Sequence, residues 1–102
     1  MATFYKHTLT IGLNDKDTLK QEVTTDKACD LINGIVGDCT IKEGATGYYT
    51  MNNGQKVKEK SLTVEVFNTS KVFNMKIAKQ IKQVLNQESI ILTTEKSSSQ
   101  FI

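Results

Sequence analysis

The sequence lacks arginine, proline and tryptophan, and it contains one histidine and two cysteines. Arginine supplies the planar donor fork that recognises guanine and grips phosphate, so its absence argues against specific recognition of nucleic acid, though not against weak lysine–phosphate contacts. Cys29 and Cys39 are too few for a disulfide framework or a zinc site of their own. No P-loop, dinucleotide fingerprint, G-x-S-x-G or H-E-x-x-H motif occurs. We therefore expect no metal, no cofactor and no catalytic residue.

Long apolar runs are also missing. No stretch approaches the roughly 20 apolar residues of a membrane-spanning helix. The N-terminal stretch MATFYKHTLT has no apolar core of a signal peptide, which predicts a cytoplasmic protein. With 102 residues, 38% hydrophobic and 24% charged, the chain has the composition of one globular domain, which we place at residues 1–95, followed by a polar tail at 96–102. All 13 basic residues are lysine, and they nearly balance the 11 acidic residues, giving a net charge of +2.

Hydrophobic periodicity predicts secondary-structure elements in the order β-α-β-β-α-β. The predicted strands are 4–13, 39–51, 55–67 and 89–94, and the predicted helices are 24–37 and 70–86. This order is typical of the ferredoxin-like α+β fold, in which a four-stranded antiparallel sheet has both helices on one face. We expect strands 4–13 and 55–67 at the centre of the sheet, strands 39–51 and 89–94 at its edges, and the second face open.

The first helix has clear boundary residues, and its apolar stripe predicts a core. Thr24 or Thr25 can cap its N-terminus, and Gly37 is suited to end it in a left-handed conformation. For the second helix, residues 68–70 supply the candidate caps. The core between sheet and helices is predicted to contain Leu9, Ile11, Leu31, Ile35, Leu62, Val64, Ile77 and Ile81.

The middle of the chain predicts a β-hairpin. Asn53-Gly54 is the dipeptide most typical of a tight hairpin turn, and it separates the second and third strands. Gly44 and Gly47 lie close together within the second strand and indicate a bulge or bend there. Because a bulge changes strand parity, the pattern leaves open which of the following tyrosines faces which side of the sheet.

Two runs carry a family resemblance: GYYTMNNGQKVKEKSLTVEV, which starts at Gly47, and LNQESI, which starts at Leu85. They resemble a family of short bacterial proteins of unknown function that pair a G-x-Y…G…E-x-S-x-x-V hairpin with a final QES-I/V strand. The resemblance implies a ferredoxin-like fold and an origin in bacteria, in part on mobile elements of Gram-positive species. It implies no activity, cofactor or catalytic residue.

The open face of the predicted sheet is the surface that we select as a candidate binding site. Threonine-rich strands suit a solvated face, whereas the large apolar residues among them suit a contact surface, so both interpretations stand. The candidate residues on this face and its rim are Lys6, Thr8, Thr10, Tyr48, Tyr49, Thr63, Glu65, Ile91 and Thr93.

Individual polar residues outside that face receive structural interpretations. His7 has the strand parity of the core residues and is predicted to be structural. Glu59 lies between two lysines and is predicted to be part of a solvated, ion-paired edge. Glu88 follows the second helix and can accept a local backbone hydrogen bond as easily as take part in chemistry. Cys29 and Cys39 border apolar runs and are predicted to be inert thiols.

Two functional hypotheses follow, with a third set aside. RNA-recognition domains share this topology but stack bases on aromatic residues of the central strands, where this chain has threonines and Glu65, so no nucleic-acid partner is expected. The leading hypothesis is a non-enzymatic interaction or assembly domain that forms a homodimer through the open face or edge strand 39–51. The alternative is a small-molecule binder or enzyme, with its site on the open face or across a dimer interface. A concave pocket with convergent polar side chains would favour the alternative.

Overall fold

The chain folds into six elements in the predicted order. The computed structural model describes residues 3–102. The elements are β1 (Phe4–Gly12), α1 (Thr25–Val36), β2 (Thr40–Thr50), β3 (Lys56–Asn68), α2 (Met75–Val84) and β4 (Ile91–Ser97). The strands form one antiparallel sheet in the order β2-β3-β1-β4, and both helices pack on the same face of it. The predicted ferredoxin-like α+β fold, with β1 and β3 at the centre, is confirmed.

One apolar core lies between the sheet and the helices. The predicted core residues of the central strands and one residue of α2 are fully buried: Leu9, Ile11, Leu62, Val64 and Ile81. Leu31, Ile35 and Ile77 are only half-buried, so the prediction for these three is wrong. In each helix an alanine and an isoleucine face the core instead, Ala28 and Ile32 in α1 and Ala78 and Ile81 in α2. The three half-buried side chains therefore lie at the margin.

The ends of α1 agree with the prediction. The Thr24 hydroxyl accepts a hydrogen bond from the Lys27 backbone N–H at 3.2 Å, which satisfies one of the free donors at the helix N-terminus. Gly37 follows the helix with φ of 84°, a conformation that favours glycine over any residue with a side chain.

The start of α2 differs from the prediction because the expected cap residues have another role. The helix begins at Met75 and is capped by Asn74, rather than by a residue of 68–70. His7 is fully buried, and its Nε2 donates to the Ser70 carbonyl at 2.8 Å and lies 3.1 Å from Asn68 Oδ1. This contact holds the segment beside the start of β1, where Asn68 pairs with Tyr5. The histidine faces the helix layer, as its strand parity indicates.

The hairpin between β2 and β3 has the predicted turn and bulge. Gly54 has φ of 86°, and the pairing register of β2 shifts between Lys42 and Ala45, where Gly44 has φ of 89°. The bulge sets the parity of the tyrosines that follow. Tyr49 pairs with Val57 of β3 and therefore has the parity of the open face.

The final strand is displaced toward the C-terminus relative to the predicted span 89–94. β4 runs from Ile91 through Ser97, and its last residues, Lys96 and Ser97, pair with Tyr5 and Phe4 of β1. Residues assigned by composition to the polar tail thus continue the sheet. No helix within residues 3–102 is long and apolar enough to cross a membrane.

Candidate functional site

The predicted candidate residues share the open face of the sheet, with one exception. The strand registers place the others on that face: Lys6, Thr8, Thr10, Tyr49, Thr63, Glu65, Ile91 and Thr93. Tyr48 has the opposite parity and is 72% exposed, with the Lys58 ammonium 5.8 Å from its ring centroid. The open face is therefore a single surface, but its two ends have different chemistry.

One end of the open face is an ion-paired polar surface. Glu65 Oε2 lies 2.9 Å from the Lys6 ammonium, and Glu65 Oε1 lies 3.2 Å from the Lys42 ammonium. The hydrogen bonds from these lysines, that of Lys6 first, lower the pKa of the Glu65 carboxyl. With both oxygens engaged, this carboxylate is already neutralised within the protein.

The other end of the open face contains a pocket of about 310 Å³. It lies where β1, β2 and the first half of β3 meet the loop between α2 and β4. Thr10, Tyr48, Tyr49 and Ile91 of the predicted set line it, whereas the predicted residues near Glu65 do not. Its volume is within the range of small-molecule sites.

Glu59 is the central polar group of this pocket. It is 7% exposed, and its Oε2 accepts a hydrogen bond from the Asn14 backbone N–H at 2.7 Å. Burial raises the pKa of the Glu59 carboxyl, and the hydrogen bond opposes that rise. Within residues 3–102 the ion pairs are those of Glu65, so Glu59 has no cationic partner there. The prediction of a solvated, ion-paired Glu59 is therefore wrong.

Strand alternation explains why the neighbouring lysines do not pair with Glu59. Lys58 and Lys60 are exposed, while Glu59 and Ser61 between and after them are buried. Successive side chains of a strand point to opposite faces, so the lysines project away from the pocket that receives the glutamate.

Gly12 provides the space that the Glu59 carboxylate occupies, and Gly47 provides space beside Ser61. Gly47 of β2 pairs with Glu59, and Gly12 lies at the end of β1 on the same face. A Cβ at Gly12 would overlap the Glu59 carboxylate, and a Cβ at Gly47 would lie 2.6 Å from Ser61 Oγ. Any side chain at Gly12 would therefore have to displace the carboxylate.

Tyr49 of β2 and Glu88 of the loop after α2 both line the pocket. Tyr49 is half-buried, and its pKa is raised first by burial and then by the negative charges of Glu59 and Glu88. Glu88 Oε1 accepts a hydrogen bond from the Asn52 backbone N–H at 3.2 Å, which links the hairpin turn to the loop after α2. The phenol thus lies close to both carboxylates.

The C-terminus of α2 delivers Gln87 and Glu88 to the pocket. Asn86 has φ of 46°, its N–H donates to the Gln83 carbonyl at 3.2 Å, and the Gln87 N–H donates to the Lys82 carbonyl at 2.9 Å. This pair of bonds around a left-handed residue is the Schellman motif, and asparagine is the residue that most often replaces glycine there. The turn directs the chain back over the sheet, so that Gln87 and Glu88 line the pocket.

Sequence analysis missed the central residues of the pocket: Gly12, Glu59, Ser61, Gln87 and Glu88. A signal for one of them was present. In the charged run from 56 to 60, alternation gives Glu59 the parity of Ser61 and Thr63, and therefore places it on the open face. No local signal places Gln87 and Glu88 above the sheet, because that depends on how α2 packs.

The remaining candidate groups lie outside the pocket. Residues 3–102 contain no cluster of three histidine, cysteine or acidic side chains suited to a metal ion. Both ring nitrogens of His7 have protein partners, with Nδ1 2.9 Å from Thr94 Oγ1. Cys29 and Cys39 are free and half-buried, and burial is the first cause that raises the pKa of Cys29.

Comparison with known proteins finds similar structures but no family. The chain matches no family model and no curated protein. A phage SAM lyase in complex with S-methyl-5'-thioadenosine is similar with a TM-score of 0.71 and 23% identity, covering 94% of this chain and 83% of that one. The apo state of a phage SAM lyase gives a TM-score of 0.68 and 23% identity, covering 90% of this chain and 79% of that one. At this identity the likeness establishes a common fold.

Proposed function

We propose that the pocket around Glu59 binds S-adenosylmethionine and that the chain cleaves it to release S-methyl-5'-thioadenosine. The observation on which this depends is the carboxylate of Glu59, which is 7% exposed at the floor of a pocket and has no cationic partner within residues 3–102. The fold shared with a phage SAM lyase supports the choice of ligand. This proposal takes up the alternative of a small-molecule binder or enzyme rather than the leading hypothesis of a non-enzymatic interaction or assembly domain.

Electrostatics favours a cationic ligand for this pocket. A buried carboxylate without a partner is unfavourable, and a cation that enters the site removes that cost. S-adenosylmethionine has two cationic groups, the sulfonium and the ammonium. Tyr49 adds aromatic surface on which a purine ring or a sulfonium methyl group can pack. We place the protein in the cytoplasm, as the sequence predicts, because this ligand is an intracellular metabolite.

The proposed step balances without water or an added reagent. The bond between the sulfonium sulfur and the methionyl Cγ breaks, and its electron pair stays on sulfur, which leaves as the neutral thioether of S-methyl-5'-thioadenosine. The substrate's own carboxylate supplies the electron pair for the new C–O bond at Cγ, so the second product is homoserine lactone. In this route Glu59 binds and orients the ammonium group and accepts no proton.

Product analysis on matched variants tests the proposal. The purified chain is incubated with S-adenosylmethionine, and both products are measured by mass spectrometry. We expect the parent to release the thioether, Glu59→Gln to lose roughly a hundredfold in rate, and Glu65→Gln to keep the parent rate. Glu65 is the matched control because it lies on the same strand and face with its charge already neutralised. A parent that neither binds nor cleaves the compound would overturn the proposal.

Self-association is a second proposal, favoured by apolar exposure on the same face. Ile91 at the rim of the pocket is 63% exposed, and Phe67 on the open face is 41% exposed. Within residues 3–102, β2 also has one edge without a strand partner. We propose a homodimer through the open face or this edge, with two-fold symmetry. Sedimentation tests it: Thr63→Arg should dissociate a face-to-face dimer, and an 11.4 kDa parent monomer at micromolar concentration would contradict it.

A further inference from the structure

The side chain of Gln87 is used inside the protein, although the residue lines the pocket. Gln87 is 4% exposed, and its Nε2 donates to the Asn14 carbonyl at 2.7 Å and to the Leu85 carbonyl at 3.2 Å. A primary amide has two N–H donors, and both are accounted for by these carbonyls. The amide nitrogen of Gln87 therefore has no donor left for a ligand.

Asn14 connects Gln87 to the carboxylate in the pocket. Its backbone N–H donates to Glu59 Oε2 at 2.7 Å, while its carbonyl accepts from Gln87. Its own side-chain amide donates to the Leu19 carbonyl at 3.3 Å. Asn14 lies two residues beyond the end of β1, after the last backbone hydrogen bond to β3, which the Leu13 N–H donates to the Lys60 carbonyl at 3.0 Å. The hydrogen bond from Gln87 thus holds the residue that holds Glu59.

We infer that Gln87 is a positioning residue, which fixes the Glu59 carboxylate in the pocket through the backbone of Asn14. The inference rests on the proposed function for its catalytic consequence, since an oriented carboxylate matters only if the pocket holds a ligand. A carboxylate held in place keeps its geometry toward a cation without reorganisation during the reaction. The missing side chain at Gly12 leaves room for the Glu59 carboxylate, and the hydrogen bond from the Asn14 N–H fixes its orientation.

A pair of isosteric variants separates positioning from general stabilisation. Gln87→Met keeps the length of the side chain and removes both donors, and Gln83→Met makes the same change on the exposed face of α2. In ligand-free protein, we expect the pKa of the Glu59 carboxyl, followed by carbon NMR, to rise further above its ordinary value only in Gln87→Met, because the Asn14 N–H bond that opposes the rise is then weakened. Tyr49 and Glu88 also face this pocket, so the titration is repeated in a Glu88→Gln background.

Kinetics supplies the second readout. If Gln87 orients Glu59, Gln87→Met lowers kcat for S-adenosylmethionine by roughly tenfold or more, with a smaller change in KM, and Gln83→Met changes neither. A folded Gln87→Met protein with the parent Glu59 titration and the parent kcat would overturn the inference. If the parent does not act on S-adenosylmethionine, the proposed function fails, and the NMR titration still decides the positioning role.

A measurement on the parent protein covers the case in which Gln87→Met does not fold. The Asn14 amide proton and the Gln87 side-chain amide protons should shift with the same midpoint as the Glu59 carboxyl, because the hydrogen bonds connect them. The Gln83 side-chain amide, on the exposed face of α2, should not shift at that midpoint. A Gln87 side chain that does not respond to the ionisation of Glu59 would also overturn the inference.

Discussion

Glu59 and Glu65 lie on the same strand and the same face of the sheet, yet their surroundings are opposite. Glu65 is paired with two lysines, which lower its pKa. Glu59 is buried without a lysine partner within residues 3–102, and burial raises its pKa. The comparison separates a carboxylate whose charge is neutralised by two lysines from one that is buried without a cationic partner among residues 3–102. Residue type and strand position alone do not distinguish them.

The cause lies on the neighbouring strands rather than on β3. Lys6 of β1 and Lys42 of β2 lie beside Glu65 and reach it from both sides. At Glu59, the corresponding neighbours on the two strands are Gly12 and Gly47, which supply space and no charge. Cross-strand neighbours therefore decide the role of each glutamate.

The largest expected effect comes from filling the space beside Glu59. Gly12→Ala places a Cβ where the Glu59 carboxylate lies, so the carboxylate must leave the pocket or the strand must move. Because the overlapping atoms are the flexible end of the Glu59 side chain, we expect the shift to cost about 0.5–1.5 kcal/mol in the free energy of unfolding. We also expect the affinity for S-methyl-5'-thioadenosine to fall roughly tenfold or more, as measured by titration calorimetry.

Gly34→Ala is the control for that substitution. Gly34 lies inside α1, and a Cβ there would meet nothing within 4 Å. Alanine is the better helix former, so this variant should gain up to about 1 kcal/mol and bind like the parent. A Gly12→Ala protein that is as stable as the parent and binds equally well would show that Glu59 does not need its present position.

The second prediction compares the two carboxylates directly at neutral pH. Glu65→Gln removes two ion pairs at a partly exposed site and should lower the free energy of unfolding by about 1 kcal/mol or less. Glu59→Gln replaces a buried group that is charged at high pH by a neutral one of the same shape, and it should raise the stability. Urea unfolding of both variants tests the opposite signs. If both variants lost the same free energy of unfolding, the two carboxylates would be equivalent in their effect on stability, which would contradict the prediction.

The pH dependence of stability sharpens the same comparison. The folded-state pKa of Glu59 is raised. Its contribution to the free energy of unfolding is therefore present below the ordinary pKa of a glutamate and is lost as pH rises through the folded-state value. The folded-state pKa of Glu65 is lowered, so its contribution is present above the ordinary pKa and is lost as pH falls through the folded-state value. Denaturation of each variant from acid to neutral pH should therefore give difference curves of opposite slope.

The fold followed from local patterns, and the site did not. Alternation, helical spacing, the Asn53-Gly54 turn and the Gly44 bulge predicted the order of elements and the central strands correctly. The start of α2 could not be predicted, because the cap competes with a tertiary contact between Ser70 and His7. The margins of the core were wrong for a similar reason, since the rotation that buries Ala28 and Ala78 is set by tertiary packing and not by the spacing of apolar residues.

The candidate site was predicted as a face but not as a pocket. Strand parity correctly gathered the open-face residues around Glu65, and it also contained the signal for Glu59. What it could not supply is burial, which depends on the loop of Gln87 and Glu88 crossing over the sheet after the left-handed turn at Asn86. The surroundings that bury Glu59 come from Gly12, Asn14 and the distant loop of Gln87, which are brought together only in the folded chain.

The smallest expected effect distinguishes the two lysines that neutralise Glu65. Lys6 is the closer partner at 2.9 Å with 31% of its side chain exposed, whereas Lys42 lies at 3.2 Å with 62% exposed. A more exposed cation is better hydrated and gains less from the pair, so Lys6→Met should raise the pKa of the Glu65 carboxyl more than Lys42→Met does. Carbon NMR titration of the two variants at low ionic strength measures the difference, and added salt should reduce the effect of Lys42 first. Equal shifts in both variants would contradict this prediction, because they would mean that the two lysines contribute equally to the lowered pKa of Glu65. In both variants the Glu59 titration should stay at the parent value, because neither lysine lines its pocket.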